Sequence, residues 1–400
     1  MKKFNKYIFL PIIFLLLFLL LIYANKIPLY DDEPTHFAQI NLFLKGEYKL
    51  IEGISIIPSF HFFIARTARL FGFRTLNQFR LINFFFTFLN ITLFYLITMK
   101  LKSSHSILKT LQFTFLPILF PYRFLLYAEN LSVLLILLAL YCALTDRKFT
   151  SFIFSSLSVL TKQTNIVWYL FILFLIYLNN GSLKINFRKL PEFMKNNWYF
   201  FFGLIFFGIF VVTNRGVAVL TQKMHPDFII KPGNLYWMLF LFFILFFPLN
   251  LKNISAIKPF LLKNKKLLIP LFLFLFVAVI TFTSDHPWNQ NPEHIRNRII
   301  LFFMSNSFWK VIYLLTVIFS LLSLFFTELI NINYYWLYPF TFLSLIPIWL
   351  IESRYSLPFF VLFNLFRKSA SGKKELIQTV YFIILSLLIY WGYLNQQFYL

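Results

Sequence analysis

The fold class this sequence predicts is an all-α polytopic membrane protein. Hydrophobic residues make up 60% of the 400-residue chain and charged ones only 13%, too little polar surface to cover a water-soluble globule of that size. The apolar residues also gather in runs near the length that crosses a bilayer of roughly 30 Å as a helix. The 37 Lys and Arg fall in short clusters between those runs. A soluble enzyme, a secreted disulfide scaffold and a disordered chain are excluded. The net charge of +23 is not gathered on one domain, so no nucleic-acid partner is expected; phosphate on a lipid is the better match. The single cysteine, Cys142, lies inside an apolar run and can form neither an internal disulfide nor a multi-Cys metal site.

Taken in order, apolar runs predict spans at 7–24, 80–99, 108–122, 126–144, 151–162, 165–178, 198–213, 235–250, 267–283, 308–328, 334–350, 355–366 and 377–394, about thirteen. The first, with Lys2, Lys3 and Lys6 ahead of it and no small-residue cleavage pattern before Asn25 and Lys26, reads as a signal-anchor helix over 1–24. Segment 25–79 is an outer loop with two amphipathic helices, one marked by Phe37, Ile40, Phe43 and Leu44, the other by Ile64, Ala68 and Phe71. The runs 151–162 and 165–178 are either two short spans or one broken helix. Outer segments 214–234 and 284–307 complete a single membrane domain over 1–400, in which 80–400 forms the remaining bundle. With the N-terminus inside, inner segments hold 21 of the 37 Lys and Arg and only Asp146, Glu192, Glu328 and Glu375 of the acids. The other ten acids face outward.

Chemistry concentrates at that outer surface. After the first span comes Tyr30-Asp31-Asp32-Glu33-Pro34-Thr35-His36, then Gln39, Lys45 and Gly46. Pro34 opens a helix whose dipole favours the charged acids, and Asp32, His36 and Gln39 share one face. A solvated helix cap would look the same, but three acids directly at a membrane surface more often mark a site. One carboxylate there can act as general base on a sugar hydroxyl or hold a cation. Lys162, within Thr161-Lys162-Gln163-Thr164-Asn165, can grip a phosphate, although a polar turn would need such residues anyway. His286 and His294, with Arg296 and Arg298, fit no zinc spacing and read as hydrogen-bonding groups. Glu352-Ser353-Arg354-Tyr355 closes the series, and taken alone reads as a local ion pair.

Read together, these segments resemble a known family. Asp32-Glu33-x-x-His36-x-x-Gln39 with Gly46, Lys162-Gln163-Thr164-Asn165-Ile166-Val167-Trp168, Asn214-x-Gly216 with His225, His286-Pro287 with His294, and Glu352-x-Arg354-Tyr355-x-x-Pro358 occur in the order seen in the terminal α-1,2-glucosyltransferases of the lipid-linked oligosaccharide pathway. Two places depart from the family pattern: Leu220-Thr221 stands where Gly-Asp is usual, and Asn291-Pro292-Glu293 where an Asp-Asn-Arg run is usual. The resemblance implies a GT-C type glycosyltransferase of the endoplasmic reticulum membrane with a luminal site. It implies dolichyl-phosphate glucose as donor, a diglucosylated dolichol-diphosphate-linked oligosaccharide as acceptor, and no cofactor or metal. Asp32 would be the base, supported by Asp31 and Glu33. His36, Gln39, Lys162, Gln163, Asn165, His225, His286, His294, Arg296, Glu352, Arg354 and Tyr355 would bind substrate. A mannosyltransferase using another dolichyl-phosphate sugar remains an alternative. A transporter or channel would place ionisable residues in mid-span along a path and often show an internal repeat, which is not seen.

Overall fold

The computed structural model describes residues 8–178, 187–220 and 229–400, so Lys2, Lys3, Lys6 and His225 lie outside the described residues. Among those described, the chain is helical, with only two isolated backbone bridges and no named strand.

Helix α1 (Phe9–Ala24) packs on α4 (Leu76–Lys100) through Phe9, Ile13, Leu17 and Leu21, spaced along one stripe. Between them α2 (Glu33–Lys45) and α3 (Ser59–Phe71) pair, burying Ile40, Phe43 and Leu44 on one and Ile64 and Ala68 on the other. The two amphipathic helices are therefore present, although Phe71 stays exposed. Both end on glycine, Gly46 at φ 86° and Gly72 at φ 70°, the left-handed turn a side chain resists. Thr75 and Gln78 then form a capping box that starts α4.

The expected span at 108–122 is not one helix. Helix α5 (Ser106–Thr114) stops early, and residues 115–128 run irregularly through the interior. Pro117 and Pro121 remove the donors a continuing helix would use. The freed carbonyls are met by buried side chains. Asn130 donates to Tyr122 (2.9 Å), Asn83 to Leu125, Thr87 to Arg123 (3.2 Å), and the Arg123 guanidinium to Phe113 (2.6 Å) and Thr114 (2.9 Å). Non-helical backbone at membrane depth survives only when satisfied in this way.

Helices α6 (Glu129–Leu144) and α7 (Lys148–Thr161) form a tight hairpin in which Ser151 bonds the Ala139 carbonyl at 2.8 Å. A short turn over Gln163–Asn165 breaks the chain before α8 (Ile166–Tyr177), which resolves the two runs around Lys162 into a broken pair. Then follow α9 (Leu190–Asn196), α10 (Trp198–Asn214), α11 (Gly233–Leu245), α12 (Phe247–Lys263), α13 (Leu268–Thr281), α14 (Ile295–Met304), α15 (Ser307–Phe325), α16 (Leu337–Leu345), α17 (Leu357–Phe366) and α18 (Gly372–Leu394). The chain bends by 82° between α9 and α10 and by 95° between α11 and α12.

By length and composition, three described helices, α4, α15 and α18, can cross a bilayer, or five if each bent pair is one span. The rest are shorter than the roughly 20 residues a single crossing needs. Apolar residues nevertheless cover the outside: Ile269, Phe272, Leu273, Phe276 and Ile280 of α13 are all exposed, a surface suited to lipid. Segments assigned to the inner side meet one another, as Ser103 meets Ser369, Lys109 meets Arg367, and Arg367 pairs with Glu375 at 2.6 Å. Those assigned to the outer side meet at the other end.

What ties the first loop to the bundle is an ion pair with no exposure on either side chain. Arg80, in the first turns of α4, holds both carboxylate oxygens of Glu33 and donates to the carbonyls of Ala24 and Ile27, each at 3.1 Å. Removing one partner strands the other charge, at a typical cost of about 3–5 kcal/mol. Arg80→Met and Glu33→Gln are each expected to lower the melting temperature of the detergent-solubilised protein steeply. The double variant should lose clearly less than the two single losses added together. Additive losses would mean the two side chains do not work as a pair.

Candidate active site

Four segments far apart in sequence meet at the outer end of the bundle. Asp32 precedes α2, and its backbone N–H donates to the Tyr127 hydroxyl at 3.1 Å, so the irregular segment before α6 sets its position. Its carboxylate pairs with Arg354 at 3.1 Å. Arg354 also reaches Glu352 (3.3 Å) and lies over the Tyr127 ring at 5.6 Å. Glu352 in turn pairs with Arg296 at 2.9 Å. The result is a row of alternating charges, Asp32, Arg354, Glu352, Arg296, in which each buried charge has an opposite neighbour. Beside it Lys162 pairs with Glu129 at 2.9 Å.

Two cavities open here. A polar chamber of about 20 Å³ is lined by Glu129, Ser132, Lys162, Asn165, Arg354 and Tyr355, among others. An apolar groove of about 220 Å³ runs past Ile56, Val167, Val217, Ala218, Pro347 and Trp349. Lys162, Thr164, Ser344, Ile348 and Tyr355 line both, so the two meet at the lysine. Such a junction can seat an amphiphile with its anionic group between Lys162 and Arg354 and its apolar part in the groove.

The two aspartates differ in electrostatics. Burial and the adjacent Asp32 push the Asp31 carboxyl up to about 7, although Arg354 and the Leu400 N–H pull the other way. Burial also pushes on Asp32, but Arg354, His36 and Arg296 outweigh it and hold that acid below the usual carboxylate range. With 49% of its side chain exposed, Asp32 opens to the cleft while protein surrounds it on the other sides. Asp31 has a left-handed backbone, φ 59°, uncommon for a residue with a side chain. His36 stacks on His61 with Nδ1 2.8 Å from its Nε2, and burial lowers the basicity of both rings.

Several residues singled out from the sequence are held by structural hydrogen bonds or ion pairs, whether or not they line the cleft. Glu33 is buried on Arg80 and accepts from the Leu126 N–H at 2.8 Å, so it is an anchor. Gln39 is buried and holds the loop at Lys49 and Ile51. Gln163 bonds the backbone of Ser55 and Ile57, joining the first loop to the α7–α8 turn. Asn165 lines the chamber while bonding Ser132 and the Ser158 carbonyl. His286 is buried, accepts from the Trp288 N–H and meets Trp349 edge-on. His294 lies beside Arg296 and the Leu400 main-chain oxygen, and burial lowers its basicity. His225 falls outside the described residues.

Comparison with known proteins follows the same residues. Residues 27–182 match the model of the DIE2/ALG10 family. The match takes in the first loop, Glu129 and Lys162-Gln163-Thr164-Asn165. Among curated proteins, the chain is 26% identical over 269 residues to the Dol-P-Glc:Glc(2)Man(9)GlcNAc(2)-PP-Dol alpha-1,2-glucosyltransferase of Candida albicans, covering 62% of this chain and 60% of the relative. The chain thus spans less than two thirds of that relative's length. No solved structure matches.

Sequence reading missed Glu129, His61, Tyr127 and Arg80. Glu129 and Arg80 did carry a signal: each is an ionisable residue inside or at the edge of an apolar run, which calls for a partner.

A carboxyl raised above its unfolded value favours the fold while protonated, so its contribution is complete below about pH 4 and lost as pH rises through about 7. Asp31→Asn, which keeps an acceptor for the Leu400 N–H and suits the left-handed backbone, should therefore raise the melting temperature at alkaline pH. The gain should fade on acidification towards pH 4. Thermal scans across pH check this; a gain independent of pH would place the Asp31 charge outside the effect.

Proposed function

We propose that this protein is an inverting glycosyltransferase that moves glucose from dolichyl-phosphate glucose to a dolichol-linked oligosaccharide. Its acceptor would be the diglucosylated precursor, which receives its third and terminal α-1,2-linked glucose at the luminal face of the endoplasmic reticulum membrane. The observation that carries this reading is the junction of a polar chamber and an apolar groove at Lys162, with Arg354 in the chamber wall one ion pair away from Asp32. Support comes from the family match over residues 27–182 and from the likeness to the Candida albicans glucosyltransferase. The finer architecture in this reading is a GT-C bundle of about thirteen crossings with the N-terminus inside, the shorter helices crossing in tilted or broken form.

In the reaction, the prenyl tail lies in the groove and the donor phosphate sits between Lys162 and Arg354. The acceptor 2-hydroxyl oxygen attacks the anomeric carbon, and its proton passes to the Asp32 carboxylate. The bond from that carbon to the phosphate oxygen breaks, and its electron pair leaves with dolichyl phosphate. Backside attack turns the β-linked donor into the α-linked product. Arg354 links two of these events. At rest it is paired with Asp32, which weakens that acid as a base. Donor phosphate competes for the guanidinium and frees Asp32 for the proton. The cationic side chains of Lys162 and Arg354 at the phosphate replace a general acid.

The test is transfer of labelled glucose from dolichyl-phosphate glucose to defined lipid-linked acceptors by purified protein. The expected product is the triglucosylated species, made also in excess EDTA. Asp32→Asn should lower kcat by about two to four orders of magnitude with the protein still inserted and folded. Arg354→Lys should raise the donor KM, because an ammonium cannot reproduce a forked contact to phosphate. Transfer of mannose but not glucose, loss of activity on chelation, or near-normal turnover by Asp32→Asn would each contradict the corresponding part.

A further inference from the structure

The final residues of the sequence lie against the candidate active site. After α18 ends at Leu394 the chain turns back, and Tyr399 joins His294 in an isolated parallel bridge. The Tyr399 N–H donates to the Glu293 carbonyl at 2.9 Å, and the Ile295 N–H donates to the Tyr399 carbonyl at 3.0 Å. Arg298 holds the Gln397 carbonyl at 2.9 Å. The Tyr399 ring meets Tyr30 edge-on at 4.7 Å and His294 at 5.2 Å. Phe398 lies so close to α18 that a Cβ on Gly392 would come within 2.5 Å of its ring. These contacts deliver Leu400 to the charge row. Its N–H donates to Asp31 Oδ2 at 3.1 Å, and its main-chain oxygen accepts from Arg296 at 2.5 Å and lies 3.0 Å from His294 Nδ1.

We propose that residues 397–400 are a positioning strap of the active site, one that orients Asp31 through the Leu400 N–H and fixes Arg296 and His294 through the Leu400 main-chain oxygen. The proposal rests on the glucosyltransferase reading only for its effect on turnover; the hold on Asp31 stands by itself. Two features favour a specific hold over plain packing. Asp31 keeps a left-handed backbone that a non-glycine residue rarely adopts without outside support, and a donor is aimed at its carboxylate. The strap also touches Arg296, which reaches Asp32 through Glu352 and Arg354, so it bears on both acids. The charged groups facing Asp31 are Asp32 beside it and Arg354 and Glu352 across the cleft. The phenols of Tyr30, Tyr127 and Tyr393 also lie in its field.

The test separates the backbone donor from the side chain. Leu400→Pro removes the N–H together with the partly buried Leu400 side chain. Leu400→Ala keeps the N–H. The protonation of Asp31 is read without substrate by water-soluble carbodiimide, which needs the protonated acid, with peptide mass spectrometry against pH. Loss of the donor raises the carboxyl further. The labelling midpoint in Leu400→Pro should move up by about one pH unit while Leu400→Ala keeps the parental midpoint. In transfer assays the pH profile of kcat/KM should change in Leu400→Pro and not in Leu400→Ala, because the charge on Asp31 lies beside the proposed base Asp32. An unmoved midpoint in the proline variant overturns the strap, as does an equal shift in the alanine variant. If the proline variant is not recovered folded, Tyr399→Ala loosens the same strap and must move the midpoint in the same direction; no movement overturns it. A moved midpoint in a protein that transfers no glucose upholds the strap and removes the glucosyltransferase reading.

Discussion

The buried pair between Glu33 and Arg80 is the constraint on which the outer end of the molecule depends. A charge inside a membrane protein persists only with a partner, and here each partner is bound further. Arg80 gathers the carbonyls of Ala24, Ile27 and Pro28, where α1 gives way to the first loop. Glu33 takes the Leu126 N–H from the irregular segment ahead of α6. One ion pair thereby locks together the end of α1, the start of α2, the start of α4 and the chain before α6. Asp31 and Asp32 directly precede Glu33, so their place in the cleft follows from that lock. Tyr127, immediately after Leu126, receives the Asp32 N–H from the other direction.

From this lock the charge row extends by alternation. Four charges crowded together would repel strongly if of like sign, and desolvation would penalise each one left alone. Arranged as Asp32, Arg354, Glu352 and Arg296 they are mutually compensated, yet the row is open at Asp32, which keeps 49% of its side chain exposed. An incoming anion is matched to such an arrangement, because it can take the place of a carboxylate at Arg354 without stranding a charge. The nearby Lys162 and Glu129 pair offers a second cation on the same terms.

Much of this was legible in the sequence. The acids ahead of α2, the polar break around Lys162 and the Glu352–Arg354 stretch were visible as polar islands between apolar runs, and the fold brings Asp32, Lys162, Glu352 and Arg354 to one site. The two loop helices followed from their periodicity. The interior segment 115–128 was not readable as irregular, because an apolar run looks alike whether helical or held by side chains, and only Pro117 and Pro121 hinted at the break. The anchoring role of Glu33 was hidden by its position: beside two aspartates it reads as a third acid of one cluster, whereas the start of the helix turns it inward to Arg80. His61 and the 397–400 segment carry no local signal, since the partners that give them meaning, His36 for the one and Asp31 and Arg296 for the other, lie more than twenty residues away.

A structure of the protein with dolichyl phosphate bound, determined by electron cryomicroscopy in a lipid nanodisc, tests the central claim most directly. The account predicts the phosphate within hydrogen-bonding distance of Lys162 and Arg354, with Arg354 withdrawn from Asp32 and the prenyl chain lying past Ile56, Ala218 and Trp349. Lipid phosphate bound elsewhere, with the Asp32–Arg354 pair intact, would contradict it.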